Sequence, residues 1–150
     1  MAKETRDLNF SAISFTLRAL GFEHTIQGFA EGTAISVERN ERSFSRVTGA
    51  DGHTTRIHNA DKSGKYTFTL LASSDSNAVL SERIGLDENT GEGYFSVQID
   101  DPFGNTTVGS ISAWIEGLPT VAYSKDGDEG REWVIEAGEV VFDLGAGNLL

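Results

Sequence analysis

GKYTFTLLASSDSNAVLSERIG, residues 64–85, sets two periodicities end to end. In its first part Tyr66, Phe68 and Leu70 share one face and Thr67 and Thr69 the other, because side chains alternate across a strand. In its second part a Ser/Asp cluster at 73–76 supplies an N-cap, and Leu80 and Ile84 follow four residues apart. Gly85 stands where a left-handed C-cap belongs, with apolar Leu86 behind it to pack back. The stretch predicts a strand and then one short helix at about residues 75–84. Such a helix can cover one sheet but is too short to stand alone.

Outward from that stretch the period of two dominates. Ser11, Ile13, Phe15 and Leu17 form one face of an opening strand, and Ile35 and Val37 alternate with Ser36 and Glu38. Phe95, Val97 and Ile99 form another face, as do Ile111, Ala113 and Ile115, and Trp133 with Ile135. Val140, Phe142 and Leu144 close the series. Alternation of this kind suits antiparallel sheets with one wet face. Ala50-Asp51-Gly52 lies between 44–48 and 54–58 and predicts a hairpin, because Asp-Gly accepts positive φ cheaply. Thr90-Gly91-Glu92-Gly93 and Pro102-Phe103-Gly104-Asn105 read as further turns. The fold class expected is mainly β: a small antiparallel β-barrel or sandwich with one short helix. At 150 residues a single domain spanning 1–150 can bury one sizeable core.

Composition narrows the function. With 12 Lys+Arg against 23 Asp+Glu the formal net charge is −11 and the pI about 4.6, which argues against a nucleic-acid-binding face. The charge is graded: residues 1–50 are net neutral, 51–100 carry −4 and 101–150 carry −7. There is no cysteine, hence no disulfide, thiolate nucleophile or cysteine-ligated metal. Apolar runs reach only three residues, as in Ala78-Val79-Leu80, against about 20 needed for a membrane helix. The N-terminal MAKETRDLNF lacks a following apolar region, so neither a secretory signal nor a membrane partner is expected.

No catalytic constellation emerges. His24, His53 and His58 match no metal-site spacing. Asp126-Gly127-Asp128-Glu129-Gly130 begins like a calcium loop, but position 137 is Ala where the bidentate Glu would stand. Asp100-Asp101 before Pro102 reads as a turn more readily than as an acid/base pair. Gly91-x-Gly93 and Gly145-x-Gly147 lack the phosphate-binding context. Trp114 and Trp133 admit a carbohydrate-stacking platform, though a Trp in an alternating strand is more often packing. The expectation is a protein that is not an enzyme and uses no cofactor and no metal.

The run VTGADGHTTRIHNADKSGKYTFTLLASSDSNAVLSE, residues 47–82, resembles the central signature of tail tube proteins from contractile-tailed bacteriophages. Its parts are a Gly-Ala-Asp-Gly turn, a short strand with histidine, Lys-Ser-Gly, a Thr-rich alternating strand, and a capped helix reading Asn-x-x-Leu-Ser. GLPTVAYSKDGDEGREWVIEAGEVVFDLG, residues 117–145, is similar to a second block of that family. The chain departs from the family in LRALGFEHTIQG near its start, and in Asp75 where a proline is common. The resemblance implies a virion structural protein of the tail, assembled in the host bacterial cytoplasm. It also implies homohexameric rings stacked into an inner tube through which a tape measure protein and then DNA pass without specific binding. A tail sheath protein, the baseplate and a tail terminator are the further partners it implies.

Two surfaces are expected to matter in that setting. The segment 40–64 is read as an arm reaching a neighbouring subunit or ring, on the strength of Arg42, Arg46, His53, Arg56, His58 and Lys62, with Asp51 at its turn. Asp100, Asp101, Glu136 and Glu139 are read as acidic groups of the lumen or of inter-ring faces. The alternatives are a β-sandwich carbohydrate-binding module and the tube protein of a related contractile injection system, such as a tailocin or a type VI secretion system.

Overall fold

Tyr66, Phe68 and Leu70 are all fully buried, and the strand that carries them lies within an eight-stranded antiparallel sheet. A computed structural model describes residues 13–30, 35–102, 106–123, 125 and 130–144. The elements in chain order are β1 (Ser14–Ala19), β2 (Phe22–Thr25), β3 (Ile35–Arg39), β4 (Phe44–Thr48), β5 (Thr54–His58), β6 (Gly64–Leu70), α1 (Ser76–Thr90), β7 (Phe95–Asp101), β8 (Thr106–Ile115), β9 (Arg131–Ala137) and β10 (Val141–Asp143). The main sheet runs β2-β1-β7-β8-β9-β6-β3, with β10 also on β8, while β4 and β5 form a separate two-stranded ribbon.

The chain after β2 ties the two ends of this sheet together. Ile26 donates its N–H to Phe15 O at 2.8 Å, still beside β1. A few residues on, Leu71 N–H bonds Gly28 O and Ala30 N–H bonds Thr69 O, now beside β6. One segment therefore borders β1 at its start and β6 at its end, and the sheet rolls around its apolar face. That face holds Phe15, Leu17, Phe95, Val97, Trp133, Ile135 and the β6 residues, closed over by Leu80 and Ile84 of α1. Trp133 donates its indole N–H to Asn77 Oδ1 at 2.9 Å, which satisfies the one polar atom of a fully buried ring.

The helix runs further than its glycine suggested. It starts at Ser76 and passes through Gly85, where nothing lies within 4 Å of the missing Cβ. An open-sided helical glycine costs only about 1 kcal/mol against alanine, too little to stop a packed helix. The end comes at Gly91, which adopts φ 72° and donates its N–H to Asp87 O at 2.8 Å. Thr90 Oγ1 donates to Leu86 O, and the Asp87 carboxylate accepts the Gly93 N–H, so the last turn is pinned by its own side chains.

A second correction concerns Ile111, expected inward with Ala113 and Ile115 but 93% exposed. Between Ser110 and Ala113, β8 carries one residue more than β7, and the pairing shifts from Phe95↔Ala113 to Val97↔Ser110. The other neighbour breaks at the same level. Ala137 and Val140 both point into the core, Gly138 and Glu139 lie outside, and Val140 N–H turns away to Lys62 O. Both strands thus reverse their inward parity together. On either side β8 keeps one register with its partner, Ala113↔Ala137 in β9 and Gly109↔Val141 in β10. Of the closing series, Val140 is buried, Phe142 is half-buried and Leu144 lies exposed beyond β10. Ser11, the 103–105 part of one turn, most of the Asp126–Gly130 loop and the glycines at 145 and 147 lie outside the described residues.

Candidate functional site

The Asp51-Gly52 hairpin forms as its sequence predicts, with Gly52 at φ 86° and Gly49 bonded to His53 across the turn. What the sequence did not show is that every residue of β4 and β5 is exposed. The ribbon stands out from the core, rooted where Asn40 N–H bonds Ser63 O and Asn59 N–H bonds Ser43 O. Arg39 anchors the root by donating from Nε and Nη2 to Val140 O, at 3.0 and 2.7 Å. Gly64 is required there, since an added Cβ would sit 2.5 Å from Glu38 O and 2.7 Å from a Val140 methyl.

Cross-strand register sorts the ribbon into two faces. One carries Phe44 opposite His58, Arg46 opposite Arg56, and Thr48 opposite Thr54. The other carries Ser45 opposite Ile57 and Val47 opposite Thr55. Phe44 stacks on His58 at 5.2 Å between ring centroids, and the Arg56 guanidinium lies 4.4 Å from the Phe44 centroid. Of the expected arm residues, Arg46, Arg56 and His58 therefore meet on one face. Asp51 and His53 pair at the tip, 3.7 Å apart, and Arg42 and Lys62 sit exposed at the root. Asp61, also at the root, has its carboxyl held below the usual range by hydrogen bonds from the Ser63 side chain and backbone.

The outward face of the main sheet is polar, and most of its charges are acidic. Asp100 and Asp143 both flank Thr107 on this face, and Gln98 Nε2 reaches both Asp100 oxygens at 3.1 Å. Glu139 lies at the break between β9 and β10, and Asp101 at the end of β7. Glu136 sits apart from these, half-buried between Lys65 and Trp114 in a row that continues to Glu38. The four acids expected on the lumen or on inter-ring faces thus lie in two zones.

The first zone borders a concavity of about 830 Å³ in the outward face of β1, β7, β8 and β10. Ile111 and Val141 are among its apolar groups, Glu139 and Asp143 are its acids, and Gly109 and Gly138 leave bare backbone. Arg18 at its margin is 3.6 Å from Glu23. Sequence parity missed this hollow, although one signal was present: Val108 and Ile115 cannot share a face of an unbroken strand.

Two further expected groups take structural places. Trp133, once a candidate for sugar stacking, is core, and only Trp114 lies outward, in edge contact with Tyr94 at 6.1 Å. His24 is half-buried, with Nε2 2.8 Å from Ser76 Oγ at the start of α1. Burial holds its pKa below the usual histidine value. Among the described residues no three His, Asp or Glu side chains converge as metal ligands.

Comparison with known proteins adds sequence and fold relationships. The sequence model of the family described as bacteriophage PhiTE tail tube protein matches residues 7–145. Structural protein ORF10 of Pseudomonas phage KPP10 is 33% identical over 129 residues, covering 85% of this chain and 74% of that protein. In fold, the chain is similar to the tube-terminating cap of the anti-feeding prophage, with a TM-score of 0.66 at 11% identity over 97% of this chain and 96% of the other. It is also similar to a chain of the PVC sheath–tube complex, an extracellular contractile injection system, with a TM-score of 0.60 at 11% identity over 93% of both chains.

Proposed function

Because the chain belongs to the bacteriophage PhiTE tail tube protein family, we propose that six copies close into a ring and that rings stack into the inner tube of a tail. The observation that carries this reading is the β4–β5 ribbon. A two-stranded ribbon without a packed face is marginal in water. This one presents Phe44, Val47 and Ile57 to solvent, so its complement is another molecule. Head-to-tail contacts of that kind make a ring when the rotation closes and a filament when it advances along an axis. β2 and β3 end the pairing order of the main sheet, and lateral association protects such edges.

The tube so formed would serve as a conduit for genome ejection. Duplex DNA carries one charge per roughly 1.7 Å, and an acidic wall repels it, so the genome slides without sticking. The role is non-catalytic, that of a virion component built in the host cytoplasm around a tape measure protein and joined to a baseplate. Fold likeness to a sheath–tube complex and to a tube terminator supports a sheath and a terminator as partners. The same likeness supports a second reading, the tube of a contractile injection machine. Capsids that co-purify with the tubes favour the genome conduit; tubes recovered without capsids favour the machine.

Electron microscopy of the purified full chain tests the proposal, which expects rings or tubes. Deleting residues 48–55 should leave a folded monomer that makes neither. Normal tubes from that deletion, or a wild-type chain that stays monomeric at every concentration, would overturn it.

A further inference from the structure

Arg46 and Arg56 stand directly opposite each other on a ribbon that has Asp51 as its one acid. Like charges directly opposite destabilise a strand pair, and an exposed ribbon has little stability to spare. The arrangement is favourable once an anionic surface faces both guanidiniums together. Beside them Phe44, under Arg56, supplies an apolar ring at the same face. The partner this face fits is therefore acidic opposite the middle of the ribbon and apolar toward its root.

The concavity on β1, β7, β8 and β10 offers both: exposed Ile111 and Val141 and the acids Glu139 and Asp143 are in its lining. Its one cation among the described residues, Arg18, lies 3.6 Å from Glu23. It exists because the matched break in β8 and β9–β10 throws Ile111 and Glu139 outward, while Gly109 and Gly138 keep its floor free of side chains. The ribbon does not fill its own concavity, since all ten of its strand residues are exposed. Its root does border the hollow: Lys62 O holds Val140 N–H, one residue from Glu139. An arm received there lies beside the receiver's own arm, so each docking presents the next.

We infer that the Phe44–Arg46–Arg56 face of one copy docks in the concavity of a second copy, its ring on Ile111 and Val141 and its two arginines against Glu139 and Asp143. The inference rests on the tube reading and names the receiving surface of its arm. Arg46→Glu is the informative variant. It replaces repulsion across the ribbon with attraction to Arg56, so a merely structural role predicts an arm at least as stable. Docking instead predicts a critical concentration for tube assembly raised about tenfold or more, the equivalent of about 1.4 kcal/mol. Adding Glu139→Arg should return it to within about threefold of wild type.

The chain has no cysteine, so crosslinking is clean. Phe44→Cys mixed with Ile111→Cys should give a disulfide-linked pair that neither variant gives alone. Wild-type assembly by Arg46→Glu, failure of Glu139→Arg to rescue, or absence of the mixed crosslink overturns the docking while leaving the tube intact. So does an Arg46→Glu tube that assembles normally but loses retention of short duplex DNA, because the arginines would then serve phosphate. A wild-type chain that forms no tube defeats the tube reading itself, and the mixed crosslink in concentrated solution still decides the docking.

Discussion

β6 and the β4–β5 ribbon follow one another in the chain and are built from similar residues, yet one is core and the other is solvated throughout. In β6 every second side chain is buried, and the aromatic rings of Phe15, Tyr66 and Phe68 pack edge to face at 5.0 and 6.0 Å. In the ribbon Phe44 lies on one face and Val47 and Ile57 on the other, and all three are exposed. Alternation therefore fixes that a strand forms and which residues share a face. It does not fix what that face meets. The difference separates side chains that hold this subunit together from those that, in the assembly proposed above, would act between subunits.

Substitutions can sharpen or break that division. The largest effect is expected at Trp133, the biggest fully buried side chain. Trp133→Ala should lower stability by about 3–5 kcal/mol in urea unfolding, from lost burial, a cavity and an unpartnered Asn77 oxygen. A loss under about 1 kcal/mol would show the core to be far more plastic than its packing indicates.

An intermediate effect belongs to His24, which joins the two regimes as a half-buried polar group against α1. Its folded pKa lies below the unfolded value, so the unfolded chain takes up a proton first. Stability should be constant in this respect above pH of about 6.5 and fall as pH drops through that value toward the folded pKa. The fall should be absent from this interval in His24→Gln, followed by thermal unfolding from pH 8 to 5.

The smallest stability effect is expected in the ribbon. Val47→Ser with Ile57→Ser should shift the monomer's midpoint by no more than about 0.5 kcal/mol, as for other exposed sites, and yet impair assembly. A large loss of monomer stability would erase the contrast between the two regions.

Much of this was legible in the residues themselves. The inward faces of β6, β7 and β9 and the Asp51-Gly52 turn follow from local alternation and turn chemistry, which need no knowledge of neighbours. Other features depended on tertiary context. Gly85 looked like a helix end because a glycine can adopt a left-handed cap. Packing of Leu80 and Ile84, with a better cap at Gly91, carried the helix past it. Ile111 was misplaced because parity was counted through the break that the register shift between Phe95 and Val97 marks. Of the two candidate surfaces, the basic residues were identified by charge alone. Their gathering on one face came from register. Glu136 and Glu139, three apart, would lie on opposite faces of an unbroken strand; the break turns both outward, Glu136 beside Lys65 and Trp114 and Glu139 at the break itself.

That break also has a mechanical meaning. Both strands reverse parity at one level and neither loses register with the other, so the sheet behaves there as two stiff panels meeting at a crease. Bending about the crease changes the angle between panels without sliding any strand past its neighbour, and the hydrogen-bonded ladders on either side persist. A bend there costs little in pairing, and the ring proposed above would use it to follow a closed circumference.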